Sequence, residues 1–376
     1  MNTFMKITDI EIRLCKHQET VMSASELRDT HKSDLHFLII TMKTDEGIDG
    51  VSMGFAGMGA EMAGTIAAQS MKPFFMGRDP LAREKHWYDF RRYDRVWHLT
   101  PMYSYGPFDN ALWDIAGKVA GLPLYKLLGH YREKVPAYVS SLFLPTPEDY
   151  ATQASEFKQQ GFHGYKLHPS SDYSEALESY RLCRAAVGDD DNFKLMADPV
   201  TAHNYYEEAL RMGRELEKLN YYWFEEPLFD VDFHGLRRLA RDLDIPIAGT
   251  EVLVGSHYST AECISSGVVD IVRSDVSWKG GVTAVMKTAH LAEAFGMRCE
   301  VHTAIYPALE IVNLHCCCAI SNCEFFEALI PGSLMKLGIK NPIEIDSQGY
   351  AHPPKGPGLG IEWDWDFIDN ATVSIM

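Results

Sequence analysis

The stretch Phe193-Lys194-Leu195-Met196-Ala197-Asp198 is a short, mostly apolar run that ends in a carboxylate. The chain repeats this pattern twice more, in Tyr221-Tyr222-Trp223-Phe224-Glu225 and in Pro246-Ile247-Ala248-Gly249-Thr250-Glu251. Each run has the length of a buried strand, and a segment with helical spacing separates it from the next. Short strands that alternate with helices predict parallel βα units.

The same rhythm extends in both directions along the chain. Further runs of this kind are Val135–Leu142, Gly164–His168, Val269–Asp275, Arg298–His302 and Cys323–Glu327. Helix signals lie between the runs: Thr146 followed by Pro147 is a helix start, and an apolar helical stripe from Gly280 to Phe295 ends at Gly296. Eight strands in this alternation predict a closed βα barrel.

Seven of these runs carry a polar residue at the predicted C-terminal end of the strand, spaced by 24 to 32 residues. They are Lys166, Asp198, Glu225, Glu251, Asp275, His302 and Glu327. In a βα barrel the C-terminal ends of the strands meet at one mouth, where such barrels place their chemistry. We therefore expect these seven side chains to converge.

The first part of the chain has a different pattern. Ile7–Leu14 and His36–Thr44 are predicted strands, and the polar stretch Glu19–Ser33 is predicted to be a loop between them. A glycine-rich loop, Gly54–Gly59, follows, and then helical spacing that is clearest in Asp109–Ala120. We expect an α+β capping domain over residues 1–130 and a barrel over residues 131–350, with a tail of about residues 350–376 that packs back on the first domain.

The composition excludes several classes of protein. The chain has 376 residues, 46% of them hydrophobic, which is ordinary for a globular protein and unlike a disordered one. It has 35 Lys and Arg against 52 Asp and Glu, a net charge of −17. A surface of this sign repels phosphate backbones and anionic lipids, so we expect neither nucleic acid nor membrane as a partner.

Cysteine usage and the N-terminus point to the cytoplasm. Met1–Lys6 lacks the pattern of a secretory signal, and eight cysteines are too sparse for a disulfide framework. Cys316, Cys317, Cys318 and Cys323 cluster, but the chain has no Cys-x-x-Cys pair, so we expect a buried helix there rather than a zinc site.

Three of the strand-end residues are candidate metal ligands. Asp198, Glu225 and Glu251 come from successive predicted strands, and hard oxygen ligands suit Mg²⁺ better than zinc. Without a cation these carboxylates would repel one another, since no basic residue is predicted at those strand ends. Alternation along a strand sends Glu225 and Glu226 to opposite faces, and we take Glu225 as the ligand.

The remaining residues form two candidate acid/base groups. Lys166 and His168 share one face of their strand, and Asp275 is placed to orient His302 and to raise the pKa of its ring. This arrangement fits proton abstraction next to a carboxylate, because the resulting enediolate needs positive charge. Lys166 and Mg²⁺ would supply that charge, and Glu327, when protonated, would hydrogen-bond one carboxylate oxygen.

These motifs resemble the enolase superfamily, mandelate racemase subgroup. The resemblance rests on Lys166-Leu167-His168, Asp198, Trp223–Pro227, Gly249-Thr250-Glu251, Asp275-Val276-Ser277 with Gly280-Gly281, and His302. In the first domain, Ala111–Lys118 and Gly121–Tyr125 resemble the capping-domain signature. The resemblance implies an α+β capping domain on a (β/α)7β barrel and a symmetric homo-oligomer. It also implies one Mg²⁺ per site on Asp198, Glu225 and Glu251, an Asp275–His302 dyad, and Glu327 in support of the enolate.

Two positions depart from the family pattern. His168 stands where relatives often have the second lysine of a Lys-x-Lys pair, and Pro199-Val200 stand where many relatives have a polar residue that contacts substrate. In this subgroup the capping domain supplies specificity, so Glu19–Ser33 and Gly54–Gly59 would cover the pocket. His31 or Lys32 would then meet a distal hydroxyl or carboxylate of the substrate, unless that stretch is only a solvated loop.

The sequence therefore predicts a Mg²⁺-dependent lyase that dehydrates an acid sugar, an aldonate or aldarate, to a 2-keto-3-deoxy acid. The substrate would be a small hydroxy-carboxylate. A racemase or epimerase would keep the enediolate and return the proton, and a cycloisomerase would expel the β-oxygen as part of a ring. A catalytically silent relative that binds metal or ligand is the alternative of another class.

Overall fold

The computed structural model describes residues 4–22, 30–98, 100–303, 306–330 and 336–376, without the side chains of residues 18–22, 30–34, 58 and 97. Two sheets organise these residues, a four-stranded antiparallel sheet and a larger, mainly parallel sheet. Within these described ranges, no helix has the length and apolar character that a membrane crossing needs.

The smaller sheet has the order β14-β1-β2-β3. Its strands are β1 (Ile7–Met22), β2 (Thr30–Thr44), β3 (Gly50–Phe55) and, from the end of the chain, β14 (Thr372–Ile375). The first two strands pair from Ile7 with Thr44 as far as Met22 with Thr30. The prediction of a loop from Glu19 to Ser33 was therefore wrong at both its ends, because backbone pairing continues through polar residues as readily as through apolar ones.

Helices cover one face of this sheet. They are α1 (Ala60–Ile66), α2 (Lys72–Phe75), α3 (Arg83–Tyr93), α4 (Gly106–Ala120) and α5 (Leu124–Leu128), with short helical turns at Gly57–Gly59, Ala67–Met71, Asp94–His98 and Met102–Tyr105. α4 ends at Gly121, whose φ of 68° is a backbone conformation that glycine adopts without strain. Asp114 of α4 accepts hydrogen bonds from Val51 N and Leu359 N, both at 2.9 Å, and so ties β3 to the C-terminal segment.

Parallel strands form the barrel. They are β4 (Val135–Ser140), β5 (Gly164–Leu167), β6 (Lys194–Ala197), β7 (Phe224–Glu225), β8 (Ile247–Gly249), β9 (Ile271–Ser274), β10 (Arg298–Val301) and β11 (Phe326–Leu329). Each strand from β4 to β10 pairs with the next, and β11 pairs with β4. Hydrogen bonds from Cys299 N to Asn322 O and from Thr303 Oγ1 to Glu327 O join the β10 and β11 segments. The predicted (β/α)7β barrel with an α+β capping domain is confirmed.

Helices follow the barrel strands in turn. They are α6 (Pro147–Gln159), α7 (Tyr173–Val187), α8 (Tyr206–Lys218), α9 (Phe233–Asp242), α10 (Ser256–Ser265), α11 (Val282–Ala294) and α12 (Pro307–Ala319), and α13 (Trp365–Ala371) precedes β14. Thr146 caps α6 through a reciprocal pair of hydrogen bonds with Asp149, as the Thr-Pro signal predicts. Cys316, Cys317 and Cys318 lie near the end of the buried helix α12 and Cys323 follows it, and all eight cysteines are free and buried.

The C-terminal segment contacts both sheets. β13 (Tyr350–His352) pairs with the start of β4 and with β12 (Glu344–Ile345), whereas β14 pairs with β1. The division at residues 130 and 131, and the return of the tail to the first domain, stay predictions about domain organisation.

A polar contact fixes the capping helix α4 against the barrel. Asp109 accepts hydrogen bonds from the backbone N and the hydroxyl of Thr283, both at 2.7 Å, at the start of α11. Asn110 Oδ1 accepts a hydrogen bond from Val282 N at 3.1 Å. A carboxylate at a helix N-terminus accepts hydrogen bonds from the free N–H groups there, and its negative charge interacts favourably with the helix dipole. α11 follows the loop that carries Asp275, so this contact also anchors one side of the barrel mouth.

Candidate active site

The strand ends of the barrel bring the predicted polar residues together. Asp198 and Asp275 directly follow β6 and β9, Glu225 is the last residue of β7, and His302 directly follows β10. Glu327 is the second residue of β11 rather than its last, so the prediction of its place at a strand end was wrong. The run that was predicted as Cys323–Glu327 forms its strand at Phe326–Leu329.

Lys166 connects three carboxylates inside the barrel. Its Nζ lies 3.1 Å from Asp198 Oδ2, 3.1 Å from Glu225 Oε1 and 2.9 Å from Glu327 Oε1. Burial alone would lower the pKa of Lys166, but the surrounding carboxylates, Glu225 and Glu327 foremost, raise it well above its usual value. Lys166 is therefore a fixed positive charge in this arrangement.

Arg273 is a second buried cation that the sequence analysis did not identify. Its Nε lies 2.8 Å from Glu225 Oε1, an ion pair without hydrogen-bond alignment, and its Nη2 donates a hydrogen bond to Glu327 Oε2. Arg273 belongs to β9, outside the three strand ends that carry Asp198, Glu225 and Glu251, and it contributes positive charge to the cluster from there. A signal existed: Arg273 precedes Asp275 by two residues in a buried strand, so both side chains lie on the same face.

The surroundings of Glu327 favour its ionised form. Burial raises the pKa of its carboxyl, but Lys166 and Arg273 lower it more, so that it lies well below the usual range. Both of its oxygens face cations, and its role as a protonated hydrogen-bond donor to the substrate stays a prediction. In this arrangement Glu327 forms ion pairs with both cations.

Glu226 belongs to the carboxylate cluster as well. Its backbone has φ of 37°, which breaks the strand alternation directly after β7, and its Oε1 accepts a hydrogen bond from Glu251 N at 3.0 Å. The simple assignment of Glu225 and Glu226 to opposite faces was therefore wrong. Burial and the negative charges of Glu251, Asp198 and Glu225 raise the pKa of Glu226 well above its usual value.

Backbone strain is concentrated at the same strand ends. Among the described residues other than glycine, seven have positive φ angles, and four of these, Val200, Thr201, Glu226 and Thr250, lie within four residues after the ends of β6, β7 or β8; the others are His130, Asn220 and Ser256. Such conformations are costly for β-branched residues and persist where the surrounding structure enforces them. Several unfavourable backbone conformations therefore lie close to the ends of the strands that carry the carboxylates.

Asp275 and His302 form a hydrogen-bonded pair. His302 Nδ1 lies 2.9 Å from Asp275 Oδ2, and Asn313 Nδ2 donates a hydrogen bond to the same oxygen at 3.1 Å. On its other side His302 Nε2 lies 3.2 Å from Glu251 Oε1. Burial alone would lower the pKa of His302, but Glu251 and Asp275 raise it to about 9.

His168 also lies in the cluster. Its Nδ1 donates a hydrogen bond to Ser141 O at 2.6 Å, and its Nε2 lies 3.0 Å from Asp198 Oδ2. Lys166 Nζ contacts the same carboxylate oxygen, so the two residues share one face of their strand as predicted from their spacing. The catalytic roles of Lys166, His168, Asp275, His302 and Glu327 stay predictions.

The carboxylates provide a chemically suitable metal site. As the side chains lie, no group of three or more Asp, Glu, His or Cys residues within the described part of the chain has a metal-holding arrangement. Burial, with a smaller effect from Glu225, raises the pKa of Glu251 to about 7 although His302 and Arg273 lower it, and burial with the charges of Glu251, Asp198 and Glu225 raises the pKa of Glu226 well above its usual value. A hard divalent cation among Asp198, Glu225 and Glu251 would relieve this repulsion, so the donor set fits Mg²⁺.

The two capping-domain residues that are predicted to contact the substrate have side chains outside the described part of the structure. The side chains of His31 and Lys32 are among those that the structure does not describe, so their predicted contact with the substrate stays a prediction.

Two known protein families together match most of the chain. Residues 10–129 match the mandelate racemase / muconate lactonizing enzyme N-terminal domain, and residues 149–367 match the enolase C-terminal domain-like family. The chain is 37% identical over 259 residues to an arabinonate dehydratase of Saccharolobus solfataricus, covering 67% of each chain. It is 28% identical over 391 residues to a D-galactarolactone cycloisomerase of Agrobacterium fabrum, covering 97% of this chain and 98% of the other.

A solved structure gives the same result at the level of the whole fold. The D-glucarate dehydratase of Agrobacterium tumefaciens, complexed with magnesium, is 33% identical and superposes with a TM-score of 0.88 over 99% of this chain and 100% of the other. The chain is an enzyme of the enolase superfamily and belongs to its mandelate racemase subgroup.

Proposed function

We propose that the protein dehydrates an acid sugar, an aldonate or aldarate, to a 2-keto-3-deoxy acid. The observation that carries the proposal is the position of the His302 ring. It is held 2.9 Å from Asp275 and 3.2 Å from Glu251, at a mouth that also contains the buried cation Lys166. A proton carrier beside fixed positive charge is what abstraction of a proton next to a carboxylate requires.

Lys166 stabilises negative charge on the substrate. Its pKa lies well above the usual value, which favours the protonated form. An ammonium group in a buried site favours the charge that develops on the substrate carboxylate as the α-proton leaves. Arg273 and Glu327 hold Lys166 and Glu225 in place through their ion pairs.

His302 and His168 are then the two proton carriers. His302 removes the α-proton or protonates the departing β-hydroxyl, depending on which face of the substrate carries that proton. His168 lies beside Asp198, so it serves the opposite face. Asp275 fixes the orientation of the His302 ring and stabilises its protonated form, and Asn313 fixes Asp275 in turn.

Asp198, Glu225 and Glu251 would hold one Mg²⁺. When bound, the cation supplies positive charge for the substrate carboxylate and its enediolate form. The relative with magnesium in its solved structure supports this part of the proposal.

Cycloisomerisation is the second candidate function. The relatives that match nearly the whole chain include the D-galactarolactone cycloisomerase, whereas the arabinonate dehydratase matches 67% of it. Both reactions begin with removal of a proton next to a carboxyl carbon and differ in whether the oxygen that leaves is a hydroxyl or part of a ring. The higher identity to the dehydratase and to the D-glucarate dehydratase structure favours dehydration.

A panel of aldonates, aldarates and their anhydro or lactone forms, incubated with Mg²⁺, tests the proposal. We expect a 2-keto acid from at least one open-chain acid sugar, and we expect its formation to stop when the metal is chelated. A ring-opened product without loss of water would favour the cycloisomerase. Epimerised substrate without keto acid would favour an epimerase. A full panel without turnover would contradict all three reactions.

We further propose that the protein acts in the cytoplasm as a symmetric homo-oligomer on a small hydroxy-carboxylate.

A further inference from the structure

Glu310 is a buried carboxyl group in the helix that follows the proposed proton carrier His302, and the mechanism above does not use it. It lies in the first turn of α12, which begins at Pro307, shortly after the end of β10. The residue is 1% exposed, and its Oε2 has no hydrogen-bond partner among the residues that the structure describes. Buried polar atoms without a partner are rare in folded proteins, and each one calls for an explanation.

The helix geometry places Glu310 beside the dyad. Asn313, three residues later on the same face of α12, bonds both Asp275 Oδ2 and Val276 N at 3.1 Å. Glu310 lies one turn closer to the start of the helix, and the start of α12 is its end nearest the barrel mouth. Its carboxyl is accordingly within electrostatic range of Glu327, His302 and Asp275.

The surroundings define what the free oxygen can bind. Burial, together with Glu327 and Asp275, raises the pKa of Glu310 well above its usual value although His302 lowers it, so the uncharged acid is the favoured form. An uncharged acid both donates and accepts a hydrogen bond, which suits a neutral hydroxyl group. It has no charge to attract a cation.

We propose that Glu310 is a specificity-determining residue that binds one hydroxyl group of the substrate on the side that faces His302. The proposal rests on the proposed function, since it takes the substrate to be a polyhydroxy acid. Burial does not separate Glu310 from the site, because Lys166, Glu225, Asp275 and Glu327 are equally buried at the same mouth.

The test combines two variants with substrates that each lack one hydroxyl. Glu310→Met removes the hydrogen bond at similar size, and Glu310→Gln keeps a donor and an acceptor. Turnover is measured for the parent acid sugar and for the deoxy analogues that retain the leaving hydroxyl, and calorimetric binding is measured for every analogue. We expect the wild-type protein to prefer the parent over one analogue by roughly 10- to 100-fold, the range for one hydrogen bond to a ligand hydroxyl.

The Glu310→Met variant should lose that preference, so that it converts and binds the parent and the one analogue equally well. The Glu310→Gln variant should retain part of the preference. The melting temperature of Glu310→Met should not fall, because an unpartnered buried polar atom is removed. An equal loss for all substrates together with a lower melting temperature would show a purely structural role and overturn the proposal. Unchanged selectivity in Glu310→Met would overturn it too.

The outcome also separates this proposal from the proposed function. If the wild-type protein acts on an acid sugar and Glu310→Met shows the same selectivity, only the role of Glu310 fails. If the wild-type protein neither binds nor converts any acid sugar, both proposals fail together.

Discussion

His302 Nδ1 lies 2.9 Å from Asp275 Oδ2, although 27 residues separate the two in sequence. The two residues follow adjacent parallel strands, β9 and β10, so the fold itself brings them together. Asn313 donates a second hydrogen bond to the same oxygen and fixes the carboxylate in place. The ring that would carry the substrate proton is therefore oriented before any substrate arrives, which lowers the cost of reorganisation during the reaction.

Replacing His302 by asparagine should remove the proton carrier. We expect kcat to fall by about 10³-fold or more, because general acid–base catalysis commonly contributes about 10²- to 10⁴-fold to the rate. KM should change little. Steady-state kinetics on the preferred acid sugar measures both constants. His290→Asn is the control, since His290 is exposed on α11 away from the site. A His302→Asn variant with wild-type kcat would place the proton carrier elsewhere.

The affinity for Mg²⁺ should distinguish the three proposed metal ligands from Glu226. We expect Asp198→Asn, Glu225→Gln and Glu251→Gln to abolish measurable Mg²⁺ binding in calorimetry, because each removes one charged ligand. Glu226→Gln should weaken binding by only about 10- to 100-fold, as changes behind the ligands commonly do. The opposite order for Glu225→Gln and Glu226→Gln would assign Glu226 as the ligand.

Arg273 should be important for stability. The Arg273→Met variant leaves Glu225 and Glu327 buried without this cation, so unfolding in denaturant should show a loss of roughly 3–5 kcal/mol. Arg241→Met is the matched control. Arg241 is largely exposed and pairs with Asp242 on the surface, where its loss should cost about 0.5 kcal/mol or less. Equal stability of the Arg273→Met variant and wild type would contradict the buried ion-pair network.

Lys279 should make stability depend on pH. Its side chain is buried, its Nζ donates one hydrogen bond to Leu253 O at 2.9 Å, and burial lowers its pKa to about 8. The unfolded chain has a lysine pKa near 10.4, so between pH 8 and 10.4 the unfolded state binds more protons and stability rises with pH. Below pH 8 both states are protonated and the penalty is constant.

The Lys279→Met variant lacks this penalty. At pH 7 it should be more stable than wild type by roughly 2 kcal/mol, after allowance for the lost hydrogen bond. That advantage should shrink as the pH rises from 8 to 10. Denaturant unfolding of both proteins, free of metal, at several pH values measures the difference. A difference that does not change with pH would show that Lys279 is not a buried charge.

The barrel and the convergence of its polar residues could be predicted because they depend on local pattern. Apolar runs with a polar end, repeated at a nearly constant interval, specify the βα units, and the unit length places Asp198, Asp275 and His302 at one mouth. The bounds of β11 could not be predicted as accurately. The stretch Cys323–Leu329 has apolar residues at both ends, so the pattern alone does not show where the strand begins and ends. Only the pairing with β4 selects Phe326–Leu329.

Arg273 and Glu226 show what the pattern leaves undetermined. A charged residue inside an apolar strand is stable only with buried partners from other strands, and those partners are 48 to 54 residues away in sequence. The left-handed backbone at Glu226 has no local signal, since neither glycine nor asparagine stands there. Both features follow from tertiary contacts that a single strand does not encode.

The most direct test is the fate of deuterium at carbon 2 of the preferred acid sugar. Removal of that hydrogen in the first step predicts a primary isotope effect on kcat/KM, loss of the label to solvent, and formation of a 2-keto-3-deoxy acid. The His302→Asn variant should form this product at least about 10³-fold more slowly. Keto acid formed without an isotope effect and without loss of the label would contradict α-proton abstraction at this site.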